Sequence, residues 1–366
     1  MGRNVRLGLL ACAGLSTLAL AATASAEKLG VSSTAVSGVV IHYSQPSGSP
    51  APAKVTIYPN PSYATGTQVQ NLSQAPGTTI GTVSAKAIAG ALGGATLPLT
   101  GSLIVKGAGD TYLSNGSPVP LATAAAACTG TATHTAFWVA QLTAAGQTLE
   151  VPIFVDAIPL TSGTDATGAP VPNPEAAAGS AKINFCLPSP DVPPPAGAAF
   201  GAHLFDAVLA IKGVWSGGSN EYRWRAVVIP YTAGTATADP TKAVEIQGLE
   251  RRVGSVAARA KYSGLKAKVT GVVTEAGTAV AGAKVLIQGG RKAVRVTSNA
   301  TGDFSATVPL RRRLAPLKVT ATVAERDLGA GACSLTPLFV AALPTITCAD
   351  VAIGGWTFAA KVRRAR

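Results

Sequence analysis

Three histidines, His42, His134 and His203, are the only imidazoles in the chain of 366 residues. They stand too far apart for H-x-x-x-H or H-E-x-x-H, the spacings that put two metal-ligating rings on one helix face. His134 shares an apolar run with Trp138, which reads as a core or rim histidine. A Ser-His-Asp arrangement is spatial, so spacing alone does not decide it. The nearest approach to a G-x-S-x-G nucleophile elbow, Gly213-Val214-Trp215-Ser216-Gly217, has its serine one place late. Ser263-Gly264-Leu265-Lys266 has the S-x-x-K spacing of an acyl-transfer serine and its lysine, but the S-D-N and K-T-G partners are missing. Glu150, Asp156, Asp206 and Glu221 are the carboxylates that could converge in a cleft for glycoside chemistry, and nothing in their spacing says that they do. Walker A, dinucleotide G-x-G-x-x-G and EF-hand patterns do not occur. The expectation is a non-enzymatic chain with no catalytic residue, no cofactor and no metal.

Recognition chemistry has better candidates. In Asn220-Glu-Tyr-Arg-Trp-Arg-Ala226 an extended strand puts Tyr222, Trp224 and Ala226 on one face and Arg223 and Arg225 on the other. An exposed aromatic face there would stack on sugars while the arginines pair with anions. The competing reading buries Trp224 in a sandwich core near a disulfide. The charge is unevenly distributed: Glu27 to Glu245 carries 9 Lys/Arg against 11 Asp/Glu, and Ile246 to Arg366 carries 19 against 6. Arg251, Arg252, Arg291, Lys292, Arg311, Arg312 and Arg313 are candidate contacts for a polyanion. Solvated strand faces that keep the chain in solution explain the same clusters equally well.

The elements that would position these groups begin after residue 26. Arg3 and Arg6, an apolar run from Leu7 to about Ala22, and Ala24-Ser25-Ala26 have the layout of a secretory signal peptide over residues 1–26. Lipidation of Cys12 after Leu9-Leu10-Ala11 is a minor alternative, since few apolar residues precede it. No later stretch reaches the about 18 apolar residues of a membrane helix, so a secreted or cell-surface chain is expected. Four cysteines remain, Cys128, Cys186, Cys333 and Cys348, an even number that points to disulfides in an exported protein. Three pairings are possible. Cys128–Cys186 and Cys333–Cys348 keep each bridge inside one expected domain. A Cys₄ zinc site lacks any C-x-x-C.

Short alternating runs separated by Gly, Pro, Ser and Asn recur along the chain, and the apolar 47% of its residues is rich in Ala and Val. This pattern predicts an all-β protein of tandem Ig-like or transthyretin-like sandwiches. The expected division is a β-rich unit over 27–110 and a sandwich with Pro-rich loops over 111–250, with one large sandwich over both as the alternative, then a basic linker over 251–264, and a sandwich with a basic tail over 265–366. In the last unit Val294 to Thr297 and Phe304 to Val308 read as a hairpin turning at Asn299-Ala300-Thr301-Gly302. Phe304, Ala306 and Val308 would face the core, as would Val319, Ala321 and Val323.

The residues Gly271, Val280, Gly282, Ala283, Val285, Thr297, Gly302 and Phe304 sit where the carboxypeptidase regulatory-like domain has its G-x-V strand, its G-x-x-V-x-G-A-x-V stretch and its T-x-x-x-G-x-F turn. Residues about 265–325 thus resemble that family of small exported β-sandwiches. The resemblance implies a structural role for these positions: glycines at turns and Phe304 in the core. The N-terminal region resembles only uncharacterised exported bacterial β proteins. The resulting expectation is a cell-surface or wall-associated adhesion, scaffold or binding module. Its basic C-terminal unit would face anionic wall polymer or an acidic protein surface, with no specific nucleic acid. The alternative is an exported carbohydrate-binding or carbohydrate-active protein, which requires Trp138, Trp215 or Trp224 exposed in a groove beside two carboxylates.

Overall fold

In Thr79–Ala89 every second residue is apolar or small: Val83, Ala85, Ala87 and Ala89 are buried, while Thr82, Ser84 and Lys86 face water. Such alternation makes a strand with one wet and one dry side. Strands of this kind assemble in the computed structural model, which describes residues 27–34, 38–65, 69–144, 146–194, 197–216, 218–219, 222–330 and 346–365. They are β1 (Lys28–Ser33), β2 (Val39–Ser44), β3 (Pro52–Tyr58), β4 (Thr79–Ala89), β5 (Ala95–Lys106), β6 (Ala136–Ala144), β7 (Gln147–Ala157), β8 (Ala181–Cys186), β9 (Ala202–Ile211), β10 (Arg223–Pro230) and β11 (Ala243–Arg252). They pair antiparallel in the order β1-β2-β9-β4-β5-β6-β7-β8-β3-β10-β11. Parallel pairing of Val31–Ser33 with Glu250–Arg252 then closes an 11-stranded barrel.

This corrects the expected domain plan. The boundary near residue 110 separates nothing, because β5 before it and β6 after it are neighbours in one ring. Residues 28–252 form one barrel in place of two units. Its dry face points inward. The outer face of β4 and β5 presents Thr82, Ser84, Lys86, Thr96 and Thr100, the reverse of the apolar outer band of a membrane barrel. No helix of the described residues is long and apolar enough to cross a membrane. Closure demands close strand contact in places. An added Cβ at Gly101 would sit on the Gln141 carbonyl of the neighbouring strand, so only glycine passes there.

The interior is unevenly filled. At one end Trp138, Trp215 and Trp224, all fully buried, meet edge to face at 6.0 and 5.7 Å. Four residues further along β6 the same face carries Leu142, opposite Gly101 and Leu149, and small side chains line the ring. Outside, helix α1 (Leu121–Thr129) covers Phe137, Val139 and Phe154 with Leu121 and Ala125. The Cys128–Cys186 disulfide, with Cα atoms 5.7 Å apart, ties its last turn to the end of β8.

The C-terminal unit packs two sheets on a separate core. Its strands are β12 (Ser255–Ser263), β13 (Lys266–Glu275), β14 (Lys284–Gln288), β15 (Val294–Thr297), β16 (Asp303–Pro309), β17 (Lys318–Val323), β18 (Arg326–Ala330), β19 (Ile346–Ile353), β20 (Trp356–Lys361) and β21 (Arg363–Arg364). One sheet runs β16-β13-β12-β21 and the other β15-β14-β17-β20. Val269, Ile287, Phe304, Val308, Val319 and Ala321 are buried between them. The expected inward positions are therefore inward. The expected hairpin is not a hairpin: β15 pairs with β14 and β16 with β13. The turn at Asn299–Gly302 carries the chain from one sheet to the other. Its chemistry is nevertheless local, with Asn299 Oδ1 accepting from the amides of Thr301 and Asp303 at 3.0 and 2.8 Å, and Gly302 at φ 73°. The crossover follows from Ser298, buried so that its Oγ donates to the Val280 carbonyl and accepts from the Ala283 amide. The expected linker over 251–264 shrinks to Val253 and Gly254, since Arg251 and Arg252 end β11 and Ser255 begins β12.

Strands β18 and β19 leave the sandwich and return to the barrel. β19 pairs parallel with the part of β11 that β1 leaves open, from Ala243 to Leu249, and β18 pairs with β19. The seam of the ring is thereby covered rather than left as an edge. Cys348 on β19 is disulfide-bonded, and Cys333 lies outside the described residues. Charged contacts hold the return: Lys28 Nζ to Asp327 at 2.6 Å, and His42 Nδ1 to Glu325 Oε2 at 3.0 Å. The other nitrogen of His42 lies 3.4 Å from Asp206, which also meets Lys86 at 3.5 Å.

The hydrogen bond to Glu325 is the main cause raising the His42 pKa above its ordinary value, against the opposing effect of burial. A raised folded pKa stabilises fully below the unfolded value and is lost as pH rises through the folded one. The purified chain is therefore expected to melt about 1–3 °C higher at pH 6 than at pH 8 through this group. His42→Asn should remove that part of the difference. A pH dependence unchanged in the variant would exclude the clasp as its source.

Candidate functional site

The chemistry-bearing residues are mostly committed to structure. His134 has an apparent relay: its Nδ1 lies 2.9 Å from Asp156 Oδ2 and its Nε2 3.0 Å from Thr129 Oγ1. The same Nε2 also faces the Thr131 carbonyl at 3.2 Å. The hydroxyl itself donates to the Ala125 carbonyl at 2.9 Å. The ring side chain is fully buried and stacks on Phe154. The site is a structural plug. His203 accepts from the Gln45 amide at 2.7 Å, and burial lowers its pKa. Glu150 accepts from the Leu113 amide and from Gln141, both at 2.6 Å. Asp156 and Asp206 serve the two histidines, and Glu221 lies outside the described residues. Ser263 and Lys266 face each other across the exposed β12–β13 turn. Among the described residues no three His, Cys, Asp or Glu side chains gather as metal ligands.

The Arg223-Trp224-Arg225 candidate is not a recognition surface. Trp224 points into the barrel, where its Nε1 donates to Glu250 at 2.7 Å. Arg223 donates to Gln247 at 2.5 Å, and Arg225 to the Ala178 carbonyl at 3.0 Å. All three tryptophans required for a sugar-stacking groove are fully buried, so the sugar-stacking form of the carbohydrate reading loses its aromatic platform.

The basic clusters divide. Arg251 and Arg252 stand where barrel meets sandwich. The Arg251 guanidinium binds Glu275 at 2.7 Å, and Trp356 Nε1 donates to that carboxylate at 3.2 Å. These two arginines belong to the junction. Arg291, Lys292, Arg311, Arg312 and Arg313 collect at the opposite pole of the sandwich, and all five are exposed. Backbone hydrogen bonds bring their loops together: Arg291 N to the Pro309 carbonyl at 2.7 Å, and Leu310 N to the Leu265 carbonyl at 2.8 Å. Leu310 and Ala315, both buried, anchor the loop that holds the three arginines outward.

Strand register adds cations that spacing along the chain does not reveal. Lys261 pairs directly with Lys268, Lys318 with Lys361, and Arg259 with Arg363. Like charges directly opposite across strands destabilise a sheet. No carboxylate relieves them. Beyond Arg252, Glu275 and Asp303 lie at the junction end, and Glu325, Asp327 and Asp350 on the segment returning to the barrel. Among the described residues the pole carries cations only.

No family model matches the chain, and no curated protein is similar to it. Among solved structures, a comparison finds an adhesin described as Ca2+-stabilized, which helps an Antarctic bacterium reach out and bind ice. The identity is 15%, over 82% of this chain and 95% of that chain, with a TM-score of 0.16. A likeness at that level carries no argument about fold or function.

Proposed function

We propose that the protein is an exported, non-enzymatic binding module that attaches to an anionic polymer, such as a cell-wall polymer, through the distal pole of its C-terminal sandwich. The observation that carries this reading is the pair of like-charged cross-strand contacts toward one pole, Lys261 with Lys268 and Lys318 with Lys361, beside the exposed cluster of Arg291, Lys292, Arg311, Arg312 and Arg313. Solubility asks only for scattered charge, and interspersed carboxylates would serve it at lower electrostatic cost. Close packing of cations without carboxylates fits a multivalent anion that supplies the missing charge. Export is supported by the leader-like residues 1–26 and by the Cys128–Cys186 bridge. The C-terminal sandwich is read as a carboxypeptidase regulatory-like unit. Supporting that reading, Gly271 pairs with Phe304, and a Cβ at Gly271 would collide with the Phe304 ring.

The test is retention of the purified chain on immobilised heparin, as a generic polyanion, and on isolated cell wall. Each cation close to an anionic surface contributes about 1 kcal/mol. The triple change Arg311→Ser, Arg312→Ser and Arg313→Ser is therefore expected to weaken binding about tenfold to hundredfold at about 0.1 M salt. Lys212→Ser, an exposed barrel cation, should change little. No retention at low salt, or retention indifferent to the triple change, would rule the reading out.

A further inference from the structure

At the barrel end away from the tryptophans an open hollow of about 550 Å³ runs from the interior, past the end of β8, to the outer groove beneath α1, where Phe154, Ala124, Ala127 and Cys128 line it. Its volume is within the range of about 300–1,000 Å³ typical of small-molecule sites. Its existence follows from ring size and residue choice. Eleven strands make a wider ring than the eight that side chains just fill. At this end the inward positions are Val83, Ala85, Ala87, Leu99, Ala140 and Leu142, too small to meet across it. These inward side chains offer a ligand dispersion contacts, and His203, also in the lining, is held by the Gln45 amide at 2.7 Å.

Polar groups gather at the mouth, and most are satisfied within the protein. Tyr231 donates to the Leu187 carbonyl at 2.5 Å, and the Asn115 amide to the Gly197 carbonyl at 3.0 Å. Glu150, the carboxylate of the lining, has an amide donor on each oxygen and stands two strands from β3. Lys54 on β3 is different: Val55 and Ile57 face the interior, so Lys54 stands on the outer side of the rim, beside α1, where the hollow opens. Its ammonium gives one hydrogen bond, to the Cys128 carbonyl at 3.2 Å, and has no carboxylate partner among the described residues. The neighbouring cation, Lys182, is already paired with Glu175 at 3.1 Å.

We infer that the hollow binds a single-chain amphiphile laid across the rim, its apolar chain inside the barrel and an anionic head, such as a carboxylate, at Lys54 on the outer side. The apolar wall selects the chain and the uncompensated ammonium selects the sign of the head. Burial, and then Lys182, lower the Lys54 pKa, as expected of a cation short of a counter-charge. The site lies in the barrel, so it stands or falls separately from the polyanion-binding pole of the sandwich.

The test is calorimetric titration of the purified chain with decanoate and with 1-decanol, equal in chain length and differing in head charge. Decanoate is expected to bind at least about tenfold more tightly. Lys54→Met should erase that preference while leaving decanol binding within about twofold. Ala85→Leu and Ala87→Leu together should weaken both ligands about tenfold or more, with an unchanged far-ultraviolet spectrum. Failure of the native chain to bind decanoate overturns the inference. So does equal binding of the two ligands, or a preference for decanoate that survives Lys54→Met.

Discussion

Trp224→Ala is expected to destabilise the barrel by about 3–5 kcal/mol, the usual cost of emptying a buried tryptophan site. Trp224 is fully buried and packs against Trp215 at 5.7 Å and Tyr63 at 5.9 Å. Backbone strands on both sides hold that end of the ring, so the hole cannot collapse. A second effect adds to the first. The indole donates to Glu250, which also accepts from the Tyr63 hydroxyl at 2.9 and 3.1 Å. Burial already raises the Glu250 pKa, and losing a donor raises it further. Trp224→Phe separates the two causes. It retains most of the volume and loses the N–H, and should cost about 1–3 kcal/mol. Guanidinium unfolding followed by the remaining tryptophan fluorescence reads both variants. A loss below about 1 kcal/mol for Trp224→Ala would mean that the tryptophan cluster does not support that end of the barrel.

The second large effect concerns the bridge at the mouth. Replacing both Cys128 and Cys186 with alanine is expected to cost about 4 kcal/mol, the chain-entropy value for residues 58 apart. The span it closes is loop-bearing, with the Pro-rich stretch Gly163 to Pro174 inside it, so the unfolded chain regains much freedom when the link is lost. In the native state the bridge also fixes the last turn of α1 against β8. Lys54 donates to that same turn through the Cys128 carbonyl. Loss of the link should therefore loosen the cavity mouth before the tryptophan end. Hydrogen exchange of the oxidised and the double-alanine chain checks this. Protection lost equally at both ends would show that the bridge acts only on the unfolded state.

Much of the local structure was legible from residue types. The inward faces of β16 and β17 follow from alternation in Phe304–Val308 and Val319–Val323. The turn at Asn299–Gly302 follows from an Asx side chain and a glycine. The pairing of Cys128 with Cys186 follows from their placement in one unit, and the burial of Trp224 was one of two open readings. The segregation of charge into the last third of the chain is visible by inspection. These features depend on a residue and its near neighbours.

The remainder depended on which distant strands pair, and in what register. Alternation with period two looks the same in a sandwich and in a barrel; only the Val31–Ser33 pairing with Glu250–Arg252 turns two expected units into one ring. The crossover after Ser298 is decided by Val280 and Ala283, not by the turn residues. The pole forms because register sets Lys261 against Lys268 and Lys318 against Lys361, while it sends Arg251 to Glu275 at the other end. The cavity forms because closure sets a radius that Ala85, Ala87 and Ala140 cannot fill. By itself the sequence determined the faces, the turns and the sign of each region's charge. The tertiary structure alone decided closure, the meeting of the cations and the volume left inside, because those are set by contacts between residues remote along the chain.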